Sequence, residues 1–164
     1  MNNKSKFMIF GRPGSGKSTF ALKLHKETGI PLHHLDKHFF EKNWVERDYN
    51  EFLSIQRAMV DGPKWIIDGN STKSLEMRYS RADVVLYFNY PAPICLVRLL
   101  KRLLRKNPEI QDRAEGCNEK IRLQLIKYMW GFNHRVEKQL HEYKIKYPHV
   151  TFIEIDSDKS LISF

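Results

Sequence analysis

The segment Phe7-Met8-Ile9-Phe10-Gly11-Arg12-Pro13-Gly14-Ser15-Gly16-Lys17-Ser18 decides the fold. It opens on an apolar run of strand length and continues as G-x-x-x-x-G-K-S. The glycines let successive backbone N–H groups curl around a phosphate. Lys17 adds a cation, and the Ser18 hydroxyl can ligate Mg²⁺. The octet alone also occurs in proteins that bind no nucleotide. Its context makes it specific here: a strand precedes it and a helix follows, from Lys17 to about Thr28. The phosphate then meets the positive end of a helix dipole. The expected phosphate-binding residues are Gly11, Pro13, Gly14, Ser15, Gly16, Lys17, Ser18 and Thr19.

Outward from this loop, short apolar runs alternate with helical patterns, which predicts an α/β fold with a parallel sheet. The strands read as Lys6–Phe10, Leu32–Leu35, Trp65–Ile67, Val84–Phe88 and Val150–Ile155. Asp48 and Glu51 open a helix running to about Val60 in the manner of a capping box, with Phe52, Ile55 and Met59 inward. A short helix covers Lys73–Ser80. Pro91 and Pro93 open another, which reaches about Lys106 and stops at Asn107-Pro108. An irregular stretch, Glu109–Gly116, leads to a long helix from about Asn118 to Tyr143. Its apolar face is Ile121, Leu125, Met129, Phe132, Val136 and Leu140, with Gly131 as a kink. A last helical fragment follows Asp156.

The 164 residues suggest one domain, a length that buries about 70% of its unfolded surface. No signal-peptide-like stretch opens the chain and no apolar run reaches membrane-spanning length, so a cytoplasmic protein with no membrane contact is expected. Cys95 and Cys117 form neither a disulfide framework nor a zinc motif; both are expected as thiols, Cys95 in a helix core. The net charge is +9, and residues 96–146 carry 13 Lys/Arg against 6 Asp/Glu. Such a balance favours anionic partners: nucleotides, a phosphorylated substrate or nucleic acid. No DNA-binding helix pair or RNA-binding motif accompanies the charge.

Phosphoryl transfer needs phosphates held, a metal bridging them, an acceptor in line and cations on the developing charge. Lys17 and the loop amides would hold the β- and γ-phosphates. Asp68 ends an apolar strand and faces the ligand crevice, where with Ser18 it would place Mg²⁺. Asp36 ends the second strand region and is a candidate to hold or deprotonate an acceptor hydroxyl. Arg98, Arg102 and Arg105 share one helix face opposite Leu96, Leu99, Leu100 and Leu103. Arg98 and Arg102 are the candidates to stabilise the transferred phosphoryl, ahead of Arg105, Arg113 and Arg135. Trp44, Phe39, Phe40 and Arg78 are candidates to line the acceptor pocket. His33, His34 and His38 alternate in direction along a strand and its exit, so no metal cluster is proposed there.

Trp65-Ile66-Ile67-Asp68-Gly69-Asn70 resembles the strand-then-Asp-Gly element of adenylate-kinase-like nucleotide kinases. Val84–Tyr90 followed by Pro91, then Arg98 and Arg102, resembles their strand, proline and arginine-bearing helix. More closely, the chain resembles the DNA topology modulation proteins, a branch of small P-loop kinases. That resemblance rests on His34-Leu35-Asp36, Trp44, Trp65–Asn70, Leu96–Leu104, Glu115-Gly116-Cys117 and the Trp130-containing helix, and it spans nearly the whole chain. It implies a P-loop NTPase three-layer sandwich with a five-stranded parallel sheet and a short lid at about 107–116. It further implies ATP at the loop and adenine packed by Ser157–Ser160. One departure is local: the family's Arg-Pro-Asp before Glu-Gly-Cys is replaced by Ile110-Gln111-Asp112-Arg113.

The expectation is an ATP-dependent phosphotransferase. Lys17, Arg98, Arg102 and Asp36 would do the chemistry, and Asp36, Trp44, Asn70 and Arg78 would hold a small-molecule or nucleotide acceptor. The alternatives are a DNA-associated ATP-binding regulator without an acceptor, or a slow ATPase.

Overall fold

The strands of this chain are apolar almost end to end, because both faces of the sheet are covered. In β1 (Lys6–Gly11), Phe7 and Ile9 point to one side and Met8 and Phe10 to the other, and all four are buried. β3 (Trp65–Asp68) and β4 (Val84–Phe88) are buried at every position. The computed structural model describes residues 4–41, 45–104 and 123–162. Together with β2 (Leu32–His34) and β5 (Thr151–Ile155), these strands form one five-stranded sheet in the order β2-β3-β1-β4-β5. Every pairing is parallel, so all strands end at the same edge.

Helices cover both faces. On one side α1 (Lys17–Thr28) contributes Ala21 and Leu24, and α5 (Ala92–Leu104) contributes Cys95 and Leu99, packed against Phe7, Ile9, Ile66 and Leu86. On the other, α3 (Tyr49–Asp61), α4 (Leu75–Tyr79) and α7 (Phe132–Lys146) pack Phe52, Leu75, Tyr79 and Val136 on Met8, Phe10, Trp65 and Val85. The remaining helices are α2 (Leu35–Phe39), α6 (Leu123–Trp130) and α8 (Asp158–Ile162), with a 3₁₀ turn at Thr72–Ser74. No helix among the described residues is long and apolar enough to cross a membrane.

Four details differ from the sequence reading. β2 stops at His34, because Leu35 opens a short helix instead of ending the strand. The helix expected over Lys73–Ser80 starts as a 3₁₀ turn before α4. Asp48 caps α3 by accepting from the N–H groups of Asn50 and Glu51, but the Glu51 carboxylate pairs with Arg47 rather than closing the capping box. Leu100 lies outward, 48% exposed, so the apolar face of α5 is narrower than its leucines suggest. Gly131 falls at the break between α6 and α7, where the kink was expected. Trp44, Arg105, Arg113, Cys117, the side chains of Leu103 and Ile121, and the expected lid at 107–116 lie outside the described residues.

Candidate active site

β1 delivers Gly11 to the carboxyl edge of the sheet, and residues 12–16 turn from it into α1. Gly14 sits at φ 80°, a left-handed conformation that favours glycine. A Cβ there would lie 2.5 Å from the Cys95 carbonyl oxygen and 2.8 Å from Leu99 Cγ, so only glycine lets α5 approach this closely. The loop is anchored on three sides. The Gly11 N–H donates to Asn70 Oδ1 at 2.9 Å. The Arg12 N–H donates to the Phe88 carbonyl at 3.1 Å, and the buried Arg12 guanidinium donates to the Tyr90 carbonyl at 2.6 Å. Sequence reasoning passed over Arg12, an unspecified position of the motif; it is a brace for the loop.

Pro13, Gly14, Lys17 and Ser18 line one end of a cavity of about 790 Å³. Ser15 is buried, and Gly16 and Thr19 are exposed. Asp68 enters the same cavity from the end of β3. The register pairs His34 with Asp68, and His34 Nδ1 lies 2.9 Å from Asp68 Oδ2. Burial disfavours the Asp68 charge. The His34 hydrogen bond, the charge of Lys17 and the Ser18 hydroxyl outweigh burial and hold the carboxyl below its ordinary value. The other oxygen, Asp68 Oδ1, is buried with no hydrogen-bond partner among the described residues. An unsatisfied carboxylate oxygen near a hydroxyl and a phosphate loop is an oxygen-only donor set, and it fits Mg²⁺.

The rest of the cavity lining comes from α2, α3, the 69–73 segment, α5 and α6. Asp36 lies in the first turn of α2, exposed, and lines the cavity. Phe39 and Phe40 follow it, with ring centroids 4.8 Å apart in an edge-to-face arrangement. Tyr49, Phe52 and Tyr128 complete an aromatic wall. Burial pushes the Tyr128 hydroxyl up to about 12, so it remains protonated. Asn70 lines the cavity while its Oδ1 serves the phosphate loop, and one residue thus joins the two ends.

Arg78 requires a correction. Expected in the acceptor pocket, it is fully buried, and its guanidinium donates to the carbonyls of Gly69 at 2.8 Å and Ser71 at 2.6 Å. A charge with no exposure to the cavity cannot bind an acceptor there. It fixes the 69–71 segment whose backbone forms the wall. Desolvation lowers its pKa to about 10, with Asp68 opposing, so it stays a cation at neutral pH. Among the described residues, the Lys and Arg side chains that line the cavity are Arg47, Lys73 and Arg102, beyond Lys17. Arg47 and Lys73 were missed, since each stands in an ordinary polar stretch.

Arg98 and Arg102 also part company. Arg102 lines the cavity. Arg98 turns to the other side of the loop: its guanidinium lies 4.4 Å from the Tyr90 ring centroid and donates to the Ser15 carbonyl at 3.1 Å. It also binds both Asp158 oxygens, at 2.8 and 3.1 Å. Tyr90 Oη donates to the same carboxylate at 2.8 Å. Arg98 thereby ties the loop to the start of α8. If the loop binds Mg·ATP, removing Arg98 should raise its Kd about tenfold, the loss of one charge-assisted hydrogen bond. Isothermal titration of Arg98→Ala would measure it, and an unchanged Kd would detach Arg98 from the loop. Arg135 lies over the Tyr128 ring, and His33 pairs with His38, ring centroids 6.2 Å apart, while His34 turns to Asp68.

No family model matches the chain, and no curated protein matches it. Solved structures do. Shikimate kinase from Acinetobacter baumannii in complex with shikimate superimposes with a TM-score of 0.58 at 11% identity, covering 98% of this chain and 91% of that one. Shikimate kinase from Bacteroides thetaiotaomicron gives 0.54 at 15% identity, covering 94% and 87%. The five-stranded parallel sheet flanked by helices is the P-loop NTPase fold shared with these kinases.

Proposed function

We propose that the chain is a single P-loop kinase-like domain that moves the γ-phosphoryl of ATP to a small-molecule acceptor. The observation that carries this reading is continuity. One cavity of about 790 Å³ is lined both by Lys17 and Ser18 and by Asp36 with a group of aromatic side chains. A pure nucleotide-binding regulator or slow ATPase has no use for the second half. We infer from the sequence blocks quoted above that the chain resembles the DNA topology modulation branch of small kinases.

The roles follow from position and chemistry. Lys17 and the loop amides hold the triphosphate, and Arg98 holds the loop. The turn at Ser157–Ser160 takes the adenine; its own side chains order it, the Ser157 N–H donating to Ser160 Oγ at 3.1 Å. Ser18 and Asp68 hold Mg²⁺, which when bound screens the charge on the phosphates. Asp36 accepts the proton of the acceptor hydroxyl as that oxygen attacks. Arg102 stabilises the charge on the transferred group. Asn70 keeps the acceptor wall in register with the loop.

Thermal melting with Mg·ATP tests the donor half. Saturation at ~100-fold above Kd should raise Tm by about 5–10 °C, and Lys17→Ala should abolish the shift. A shift that survives in Lys17→Ala would refute the phosphate-loop assignment.

A further inference from the structure

We propose that the acceptor carries a planar ring together with a hydroxyl group, rather than being a compact aliphatic hydroxy acid or polyol. The proposal rests on the kinase reading above and narrows it.

The walls of the far half of the cavity carry the argument. Phe39, Phe40, Tyr49 and Tyr128 line it, with Phe52 buried behind them. Phe39 stands edge-on to Phe40 and also to Phe52, with centroids 4.8 and 5.0 Å apart, and Tyr49 stands 6.3 Å from Phe52. Phe39 and Tyr49 also pack on the hydrophobic core, so the cluster is held in place rather than loosely displayed. Aromatic rings presented this way select a flat apolar body by stacking and edge contacts, worth ~0.5–1.5 kcal/mol per pair beyond burial. A compact polyol would leave these rings against its hydroxyls and forfeit hydrogen bonds it makes in water. An aliphatic hydroxy acid would need cations to dominate this end. The charges there are mixed instead: Asp36 and Glu46 stand with Arg47, Lys73 and Arg102. Arg47 is already engaged by Glu51, and it donates to the His38 carbonyl at 2.9 Å. Lys73 Nζ lies 5.7 Å from the Tyr49 ring centroid, at the rim.

The polar part of the acceptor is then its hydroxyl, at Asp36. In the transfer, the hydroxyl oxygen forms a bond to the γ-phosphorus as the bond from that phosphorus to the β,γ-bridging oxygen breaks. ADP leaves with the electron pair, and the hydroxyl proton passes to Asp36 and on to solvent, to which Asp36 is exposed.

Two sources share this chemistry: nucleosides and aromatic or heteroaromatic alcohols. A coupled ADP-release assay with Mg·ATP has an arm for each, and a third arm of shikimate, glycerate and glycerol. At least one ring arm should raise ADP release tenfold or more over the rate without acceptor, and which arm does so identifies the source. Stimulation by the aliphatic arm alone would overturn the ring assignment, and so would no stimulation by any ring compound. In either case a Mg·ATP melting shift that Lys17→Ala removes would leave the donor reading standing. Absence of that shift would count against the donor reading instead.

Discussion

Arg102→Ala is expected to keep Mg·ATP binding and to lose turnover, by ~10³-fold or more. Arg102 is the α5 cation that lines the cavity shared by Lys17, Ser18 and Asp36. A guanidinium there should contribute little to the ground state, because in the proposed function Lys17 and the loop amides hold the triphosphate. Its contribution grows as charge spreads over the oxygens of the moving phosphoryl, which is where a positioned arginine is worth ~10³–10⁵ in rate. Lysine at 102 should recover little of this, since it lacks the planar fork that contacts two oxygens at once. Titration calorimetry beside steady-state kinetics separates the cases. Equal losses in affinity and turnover would reduce Arg102 to a binding residue.

Arg78→Ala is expected to cost ~3–5 kcal/mol of stability, because one buried and one part-buried carbonyl lose their donor and a large buried side chain leaves a void. For a chain of this size the loss lowers Tm by roughly 6–20 °C. Arg78→Met fills most of the volume without restoring either hydrogen bond, so it should fall between wild type and alanine. Both variants should also raise the KM of the proposed acceptor, because Gly69 and Ser71 line the cavity. If Arg78→Ala melts like wild type, Arg78 does not brace that wall.

Local features were the legible ones. The phosphate loop is a contiguous motif, and its flanking strand and helix are visible in the same twenty-odd residues. Central strands announced themselves because burial on both faces demands unbroken apolar runs, as in Val84–Phe88. Asp68 was readable from its place at a strand end. What stayed hidden depends on partners distant in sequence. The side-chain pair His34–Asp68 follows from the register of β2 on β3, which no local pattern encodes. Arg98 shares a helix face with Arg102, yet Tyr90 and Asp158 draw it to the other side of the loop. The burial of Arg78 was invisible for the same reason, since a charged residue in a short amphipathic stretch reads as exposed. The aromatic wall was only half seen: Phe39 and Phe40 are adjacent, but Tyr49, Phe52 and Tyr128 join them only through the packing of α3 and α6.

In the proposed function, one cavity receives a phosphoryl group from ATP and passes it to a second small molecule. Incubating the protein with Mg·[γ-³²P]ATP and a low-molecular-mass metabolite extract, then separating the products, tests this directly. Label should appear in an organic phosphate that Lys17→Ala and Arg102→Ala fail to produce. Label found only in ATP and free inorganic phosphate, at any extract concentration, would contradict the claim.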